Sequence, residues 1–393
     1  MEHPFLPTIK EIMTEFADLT GLSAAAKIPR RYLWTDAFAV CNFLELFRQT
    51  RDDQYKDLAL HLVDQVHNIL GRHRKDDSRT GWISSLDEKE GRLHPTKGGL
   101  RIGKELNERH PDDPVDERLE WDRDGQYFHY LTKWMHALHQ VSRATGKVTY
   151  DRWAIELGKT AHARFTYRPS SRGQKRMYWK MSIDLSRPQV TSMGHLDPLD
   201  GLITYSELQA AGTKDPEKST GLDLSSEIAD LTAICKGRDW ATEDPLGIGD
   251  LLADALRMAQ LGRGGNLGGN DLLAKILESS RMGLESYLRN KPLSQAADNR
   301  LAFREFGLSV GLHALERLRA FLEQNPGLFW RNGPLASRVE DLLPYSPLAE
   351  TIEDFWLESL NRKAGTWGEH RDINAVMLAT SLAPDTYLTL QHL

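Results

Sequence analysis

The residues best suited to chemistry lie in one short segment, Ser-Met-Gly-His-Leu-Asp-Pro-Leu-Asp-Gly. Gly194 permits a close approach and Pro198 favours a first helical turn, so His195, Asp197 and Asp200 are expected together around a helix N-terminus. The positive end of a helix stabilises an ionised carboxylate, which would let either aspartate act as a base or nucleophile. Two alternatives remain: an aspartate that only caps the helix, and a metal site whose ligand set is incomplete. We predict no metal.

A second cluster, Glu369, His370, Arg371 and Asp372, stands directly before an apolar helix. Four consecutive ionisable residues are a poor start for a core helix but a suitable lining for one side of a pocket. If His195 faces His370 across that pocket, one histidine can remove a proton and the other return it. The alternative for Asp372 is a helix cap.

A third segment offers acids beside aromatic rings. Asp122 and Asp124 are candidate proton donors, because the apolar ring of Trp121 would raise the pKa of a neighbouring carboxyl group. Asp197 or Asp200 would then serve as the base or nucleophile. Such pairs cleave glycosidic bonds when the two carboxyl groups are about 5–5.5 Å apart (retention) or about 6.5–9.5 Å apart (inversion).

The remaining candidates would bind the substrate. Aromatic faces stack against the C–H faces of sugar rings, and charged groups bind hydroxyls. The predicted substrate-binding residues are Arg31, Trp34, Asp36, Trp121, Tyr127, His129, Lys180, Glu305, Trp367, Glu369, Arg371 and Asp372. The cations Arg31, Arg371 and Lys180 suit an anionic sugar such as a uronate. The alternatives are a helix cap for Asp36 and a salt bridge to a nearby arginine for Glu305.

Helices must position these residues, because helical periodicity dominates the sequence. Some segments are apolar on nearly every face and others carry a single apolar stripe, which indicates alternating buried and amphipathic helices. The twelve predicted helices are 7–19, 36–47, 55–70, 125–145, 151–165, 198–211, 222–236, 246–261, 271–289, 300–323, 347–361 and 372–383. Residues 74–123 form a long insertion loop expected to cover part of the site, with a β-hairpin over 81–93.

Composition excludes several classes of protein. With 393 residues, 27% charged and 40% hydrophobic, the chain is an ordinary globular one. The formal charge of −6 argues against a nucleic-acid partner. No apolar run is long enough to span a membrane and no signal peptide is evident, so a cytoplasmic location is expected. Cys41 and Cys235 are expected as reduced core residues. No dinucleotide, zinc-protease or serine-hydrolase motif occurs, and no cofactor is predicted.

Twelve alternating helices without a strand-rich region resemble the (α/α)6 toroid of the six-hairpin glycosidase superfamily. That superfamily contains glycoside hydrolases, unsaturated uronyl hydrolases and the N-acylglucosamine and cellobiose 2-epimerases. The resemblance implies an all-α fold, a single toroid domain over 1–393, and a cleft formed by the loops that feed the inner helices.

The resemblance also implies a carbohydrate-active enzyme, which we expect to be a glycoside hydrolase using paired carboxylates. The alternative is a sugar 2-epimerase or isomerase in which His195 and His370 form the two-base pair. A second alternative is a non-catalytic scaffold that binds carbohydrate or protein. The expected partner is a sugar or oligosaccharide, neutral or anionic, and the sequence does not predict the oligomeric state.

Overall fold

The computed structural model describes residues 3–23, 28–170, 173–212, 223–262, 269–325 and 333–390. These residues form helices for the most part, with five short strands. The helices are α1 (Leu6–Leu19), α2 (Leu33–Thr50), α3 (Asp53–Leu70), α4 (Glu88–Leu93), α5 (Glu117–Asp122), α6 (Phe128–Thr145), α7 (Thr149–Phe165), α8 (Asp197–Gly212), α9 (Ser225–Cys235), α10 (Pro245–Leu261), α11 (Gly269–Arg289), α12 (Ala302–Gln324), α13 (Gly333–Leu342), α14 (Leu348–Leu357), α15 (Gly365–Glu369), α16 (Arg371–Leu382) and α17 (Asp385–Leu388). The strands are β1 (Gln126–Tyr127), β2 (Thr166–Tyr167), β3 (Arg176–Met177), β4 (Lys180–Met181) and β5 (Pro188–Val190).

The twelve predicted helices are all present, within a few residues of their expected ends. Local signals explain the boundaries. Asp52 caps α3 by accepting the N–H of Gln54, and Asp244 caps α10 by accepting the N–H of Leu246. Gly146 ends α6 in the left-handed conformation with φ 71°, which glycine adopts without strain.

The predicted hairpin over 81–93 is wrong. Its second half is the helix α4, whose N-cap Asp87 accepts the N–H of Glu90. Acidic residues at the first turn favour this helix over a strand. Trp82 forms only an isolated bridge with Arg72. The strands form elsewhere, as a three-stranded antiparallel sheet in the order β1-β4-β5 and a β2-β3 pair.

The chain divides into two compact units, Ala17–Lys236 and Met1–Phe16 with Gly237–Leu393. The single-domain organisation stays a prediction. In the unit Ala17–Lys236, α6 packs against α2 on one side and α8 on the other. The helix α3 packs mainly against α2, α7 packs against α6 and α8, and α9 packs against α8. The helix α2 is buried from Leu33 to Leu46, which is why its sequence is apolar on nearly every face.

In the other unit, α12 is the central helix and packs against α10, α14 and α16. The helix α11 packs against α10 and α13. Two glycines permit the closest of these contacts, since a Cβ atom on Gly249 would lie 2.0 Å from the carbonyl oxygen of Gly307. The backbones of α10 and α12 therefore touch at this point.

Side-chain hydrogen bonds tie the insertion 74–123 to the three-stranded sheet. The Gln126 side chain accepts the N–H of Leu100 and donates to the carbonyl oxygens of Gly98 and Ile183.

Both cysteines are buried and unbridged, and no helix among the described residues is long and apolar enough to cross a membrane.

Candidate active site

The N-terminal ends of α2, α6 and α8 come together within the unit Ala17–Lys236. The hydroxyl of Tyr32, the residue before α2, lies 2.6 Å from the hydroxyl of Tyr130 in the first turn of α6. His129, also in that turn, faces Asp197 at the start of α8. Side chains here meet the partially positive ends of helices, which favours negative charge.

Asp197 and His129 form the central pair of this region. Nδ1 of His129 lies 3.4 Å from Oδ1 of Asp197, whose side chain is only 6% exposed. The other carboxylate oxygen, Oδ2, is buried and makes no hydrogen bond within the described residues. A buried carboxylate oxygen without a donor is costly unless a ligand or water supplies one. Asp197 thus has one oxygen beside a histidine and one available for a ligand.

Gly194 permits this placement of Asp197. A Cβ atom at residue 194 would lie 2.3 Å from Oδ1 and 2.5 Å from Oδ2 of Asp197. Any other residue would displace the carboxylate or the loop before α8.

Aromatic rings surround the pair, and Tyr127 is at their centre. We call the six residues Tyr32, Trp121, Tyr127, His129, Tyr130 and Trp179 the aromatic cluster. The buried Tyr127 ring lies 5.3 Å from the His129 ring, 5.2 Å from Tyr130 and 5.4 Å from Trp179. Trp179 in turn contacts Trp121 edge to face at 4.6 Å. Burial raises the pKa of both Tyr127 and Tyr32, so their hydroxyls stay protonated at neutral pH.

Lys180 is buried next to this cluster and does not lie in an open cleft. Its side chain is fully buried, and its ammonium donates to the carbonyl oxygens of Glu120 and Arg123, the latter at 2.8 Å. It also lies 5.5 Å from the centre of the Tyr127 ring. Burial lowers the pKa of Lys180 to about 8. The predicted sugar-binding lysine therefore holds the backbone around Trp121 and Asp122.

Two of the predicted catalytic aspartates have internal partners. Asp124 is fully buried and pairs with Arg101 at 2.8 Å and Arg74 at 3.3 Å, while it accepts the N–H of Gly103 and Gly125. These bonds account for both of its oxygens, which gives it the surroundings of a structural carboxylate.

Asp200 is likewise enclosed by its neighbours. It pairs with the ammonium of Lys133 at 3.1 Å and accepts the hydroxyl of Thr132. Asp122, by contrast, is exposed at the end of α5, and the adjacent Trp121 is 52% exposed. Of the predicted catalytic carboxylates in this unit, Asp122 is exposed, and Asp197 has one oxygen without a hydrogen bond among the described residues.

The predicted binding residues before and within α2 are buried. Arg31 donates to the carbonyl oxygen of Thr20 at 2.7 Å and lies 3.5 Å from Asp36. Asp36 lies in the first turn of α2 and accepts the N–H of Tyr32, the residue before the helix, so it supports the start of α2. Trp34 packs against Phe38 within the core.

The unit with Gly237–Leu393 holds the other candidates. Glu305 is buried, pairs with Arg300 at 2.7 Å and accepts the indole N–H of Trp356. The ring of Trp367 packs 5.6 Å from that of Trp356. Both have the surroundings of structural residues, and Glu305 makes the salt bridge named above as its alternative.

The residues of the segment 369–372 are more exposed to solvent than Glu305 and Trp367. Glu369 and Arg371 are exposed, and Arg371 pairs with Glu15. The His370 ring contacts Phe303 at 5.4 Å, and Asp372 lies in the first turn of α16.

His195 is exposed in the loop before α8 and belongs to the unit Ala17–Lys236, whereas His370 belongs to the other unit. The two-histidine pair stays a prediction. Among the described residues no group of three or more His, Cys, Asp or Glu side chains is arranged to hold a metal ion.

Three members of the aromatic cluster are absent from the predicted site. Tyr130 follows Tyr127 by three residues, a spacing that places both side chains on one face of the chain as it enters α6. Trp179 precedes Lys180 in an aromatic segment, which was the available signal for it. Tyr32 stands next to the predicted Arg31, but its contact with Tyr130 spans 98 residues and has no local signal.

No protein-family model matches the sequence, and no curated protein matches it either. Similar solved structures exist at low identity. An α-mannanase of family GH76 from Bacteroides thetaiotaomicron has 9% identity and a TM-score of 0.53, with 97% of this chain and 96% of that chain covered. An inactive variant of an α-1,6-mannanase of the same family from Salegentibacter, in complex with α-1,6-mannotriose, has 11% identity and a TM-score of 0.51, with 97% and 99% covered. A cellobiose 2-epimerase from Spirochaeta thermophila has 14% identity and a TM-score of 0.48, with 96% and 98% covered.

At these identities the likeness shows the fold alone. The chain has the all-α fold of the (α/α)6 class, and this part of the sequence-based prediction is confirmed.

Proposed function

We propose that this protein is a glycoside hydrolase with Asp197 as a catalytic carboxylate. The observation that carries the proposal is the buried Oδ2 of Asp197 at the start of α8, which has no hydrogen-bond partner in the described part of the chain and lies beside the aromatic cluster. A base or nucleophile at this position would act beside the partial positive charge of a helix N-terminus. Aromatic rings next to a carboxylate are the surroundings in which a sugar is held at its reacting carbon.

A hydrolase needs a second carboxyl group to donate a proton to the leaving oxygen. Asp122 is our candidate, because it is exposed on the backbone segment that Lys180 holds against the aromatic cluster. Asp124 and Asp200 are less suited, since both oxygens of each already have partners. Those of Asp124 are two arginines and two backbone N–H groups, and those of Asp200 are Lys133 and the hydroxyl of Thr132. His129 would then orient Asp197 through the contact at Oδ1.

The similar solved structures support a carbohydrate substrate. Two of them are α-mannanases, and the inactive Salegentibacter variant has asparagine in place of two aspartates. Carboxylate chemistry on a sugar chain is therefore compatible with this fold. Function cannot be read from a fold by itself, so the proposal depends on the arrangement around Asp197.

The test is release of reducing ends from α-1,6-mannotriose and from a panel of other neutral and uronic oligosaccharides. The wild-type protein should cleave at least one of them, and Asp197→Asn should lower the rate by about 100-fold or more. The matched control is Asp57→Asn on the exposed face of α3, which should keep the wild-type rate. Cleavage unaffected by Asp197→Asn would refute the assignment, and binding without turnover would favour a carbohydrate-binding scaffold.

A second candidate, a sugar epimerase or isomerase, is favoured by the contact between His129 and Asp197. A histidine oriented by a carboxylate is a common general base, and the predicted pair of His195 and His370 belongs to the same chemistry. Incorporation of solvent deuterium at a sugar carbon, without new reducing ends, would favour this function. His129→Gln should abolish that exchange.

A further inference from the structure

We propose that the exposed ring of Trp121 forms an outer subsite, so that the site takes a neutral oligosaccharide and not a single sugar. This inference rests on the proposed function, because it extends the same site away from Asp197. Three observations carry it. They are a row of aromatic rings from His129 to Trp121, the buried contacts that fix the backbone around Trp121, and the internal partners of the cations predicted to bind an anion.

The row of rings begins at the catalytic aspartate and ends at solvent. From His129, which contacts Asp197, the next ring is Trp179 at 6.5 Å with an angle of 19° between the planes. From Trp179 the next is Trp121 at 4.6 Å. The row ends at an exposed ring, since Trp121 is 52% exposed. A sugar chain with its reacting bond at Asp197 would meet a second aromatic face at Trp121.

Buried contacts fix the backbone that carries the exposed ring of Trp121. Its backbone neighbours Glu120 and Arg123 give their carbonyl oxygens to the buried ammonium of Lys180. The side chain of Glu120 pairs with Arg109, and both are buried. A ring that is already ordered loses little conformational entropy when a ligand stacks on it, so its contact contributes more to binding.

The cations predicted to bind a uronate have partners within the protein, which favours a neutral sugar. The cations predicted to bind an anion in this unit, Arg31 and Lys180, are buried and donate to backbone carbonyls. Arg371 in the other unit pairs with Glu15.

The experiment compares chain lengths in Trp121→Ala and in the wild type. Binding of neutral ladders of two to five sugars, α-1,6-linked mannose and β-1,4-linked glucose, is measured by titration calorimetry in the Asp197→Asn background, with oligogalacturonides as the charged ladder. The wild-type Trp121 protein should bind longer neutral chains more tightly. Trp121→Ala should weaken binding of the longer chains by about five- to tenfold, with a smaller effect on the disaccharide.

Trp121→Phe should restore most of the lost affinity, and Leu119→Ala, an exposed apolar neighbour on α5, should behave as wild type. The inference is overturned if no ladder binds, if affinity does not depend on chain length, or if the oligogalacturonides bind more tightly. Because binding is measured without turnover, a protein that binds in this way but cleaves nothing would refute the hydrolase and keep the subsite.

Discussion

At the scale of single residues, the candidate aspartates differ in what surrounds their carboxylates. Asp124 and Asp200 are enclosed by cations, whereas Asp197 retains a buried oxygen without a hydrogen bond among the described residues. Burial of a carboxylate is costly without such partners. An oxygen that stays unpaired therefore marks a position where stability was not the only requirement.

Asp124→Asn should destabilise the protein because it leaves Arg74 and Arg101 without their buried counter-charge. The expected loss of unfolding free energy is about 3–5 kcal/mol. Urea denaturation measures it, and the matched control is the neighbouring Asp122→Asn. That exposed substitution should change stability by less than about 0.5 kcal/mol. Equal stability of the two variants would contradict a structural role for Asp124.

The sequence predicts that acids cluster near helix starts, but not which of them is paired. The partners of Asp124 lie 50 and 23 residues away along the chain, and Lys133 lies 67 residues from Asp200. Periodicity and spacing carry no information about such contacts. The structure brings Asp197, Tyr127, His129 and Trp121 together, while it encloses Arg31, Lys180 and Glu305 in the interior.

At the scale of elements, helices are predictable because each burial pattern repeats every three or four residues and is readable locally. The helix α2 is buried along most of its length, and α3 alternates buried with exposed positions, as their sequences indicate. The hairpin prediction for 81–93 is wrong because two short apolar runs around a polar turn resemble a hairpin in sequence. The N-cap Asp87 and the acidic first turn of α4 outweigh that pattern.

Gly194→Ala tests whether the loop before α8 positions Asp197, the proposed catalytic residue. The added Cβ would lie within 2.5 Å of the Asp197 carboxylate, so the carboxylate must move and activity should fall by about tenfold or more. Gly212→Ala at the other end of the same helix is the control. Apart from its chain neighbours and its own helix backbone, no atom of the described residues lies within 4 Å of its Cβ position, and this variant should keep both activity and stability. Thermal unfolding measured on both variants would show whether a loss of activity reflects a loss of folded protein.

At the scale of the whole molecule, the unit Ala17–Lys236 contains a buried histidine that links its stability to pH. His67 accepts the indole N–H of Trp134 at 3.1 Å, and burial lowers its pKa to about 3. The unfolded chain, with a histidine pKa of about 6.5, binds a proton first as the pH falls. The stabilisation is therefore fully present above pH 6.5 and is lost as the pH falls from there towards 3.

His67→Gln should weaken this dependence. Between pH 7 and pH 5 the wild type should lose about 2 kcal/mol more unfolding free energy than the variant, from about 1.4 kcal/mol per pH unit below 6.5. Urea denaturation at the two pH values measures both slopes. If the unfolding free energy depends on pH equally in the wild type and the variant, His67 is not the group responsible. This comparison is independent of any loss of stability that the variant shows at pH 7.

The close contact between Gly194 and Asp197 can be used to classify other chains of this fold. A chain with any side chain at the position of Gly194 would not hold its aspartate in the same place, even with the helices intact. Glycine, aspartate and histidine at the positions of Gly194, Asp197 and His129 therefore form a three-residue signature. Chains that carry it should place this aspartate as this protein does, and chains that have lost the glycine should share only its architecture.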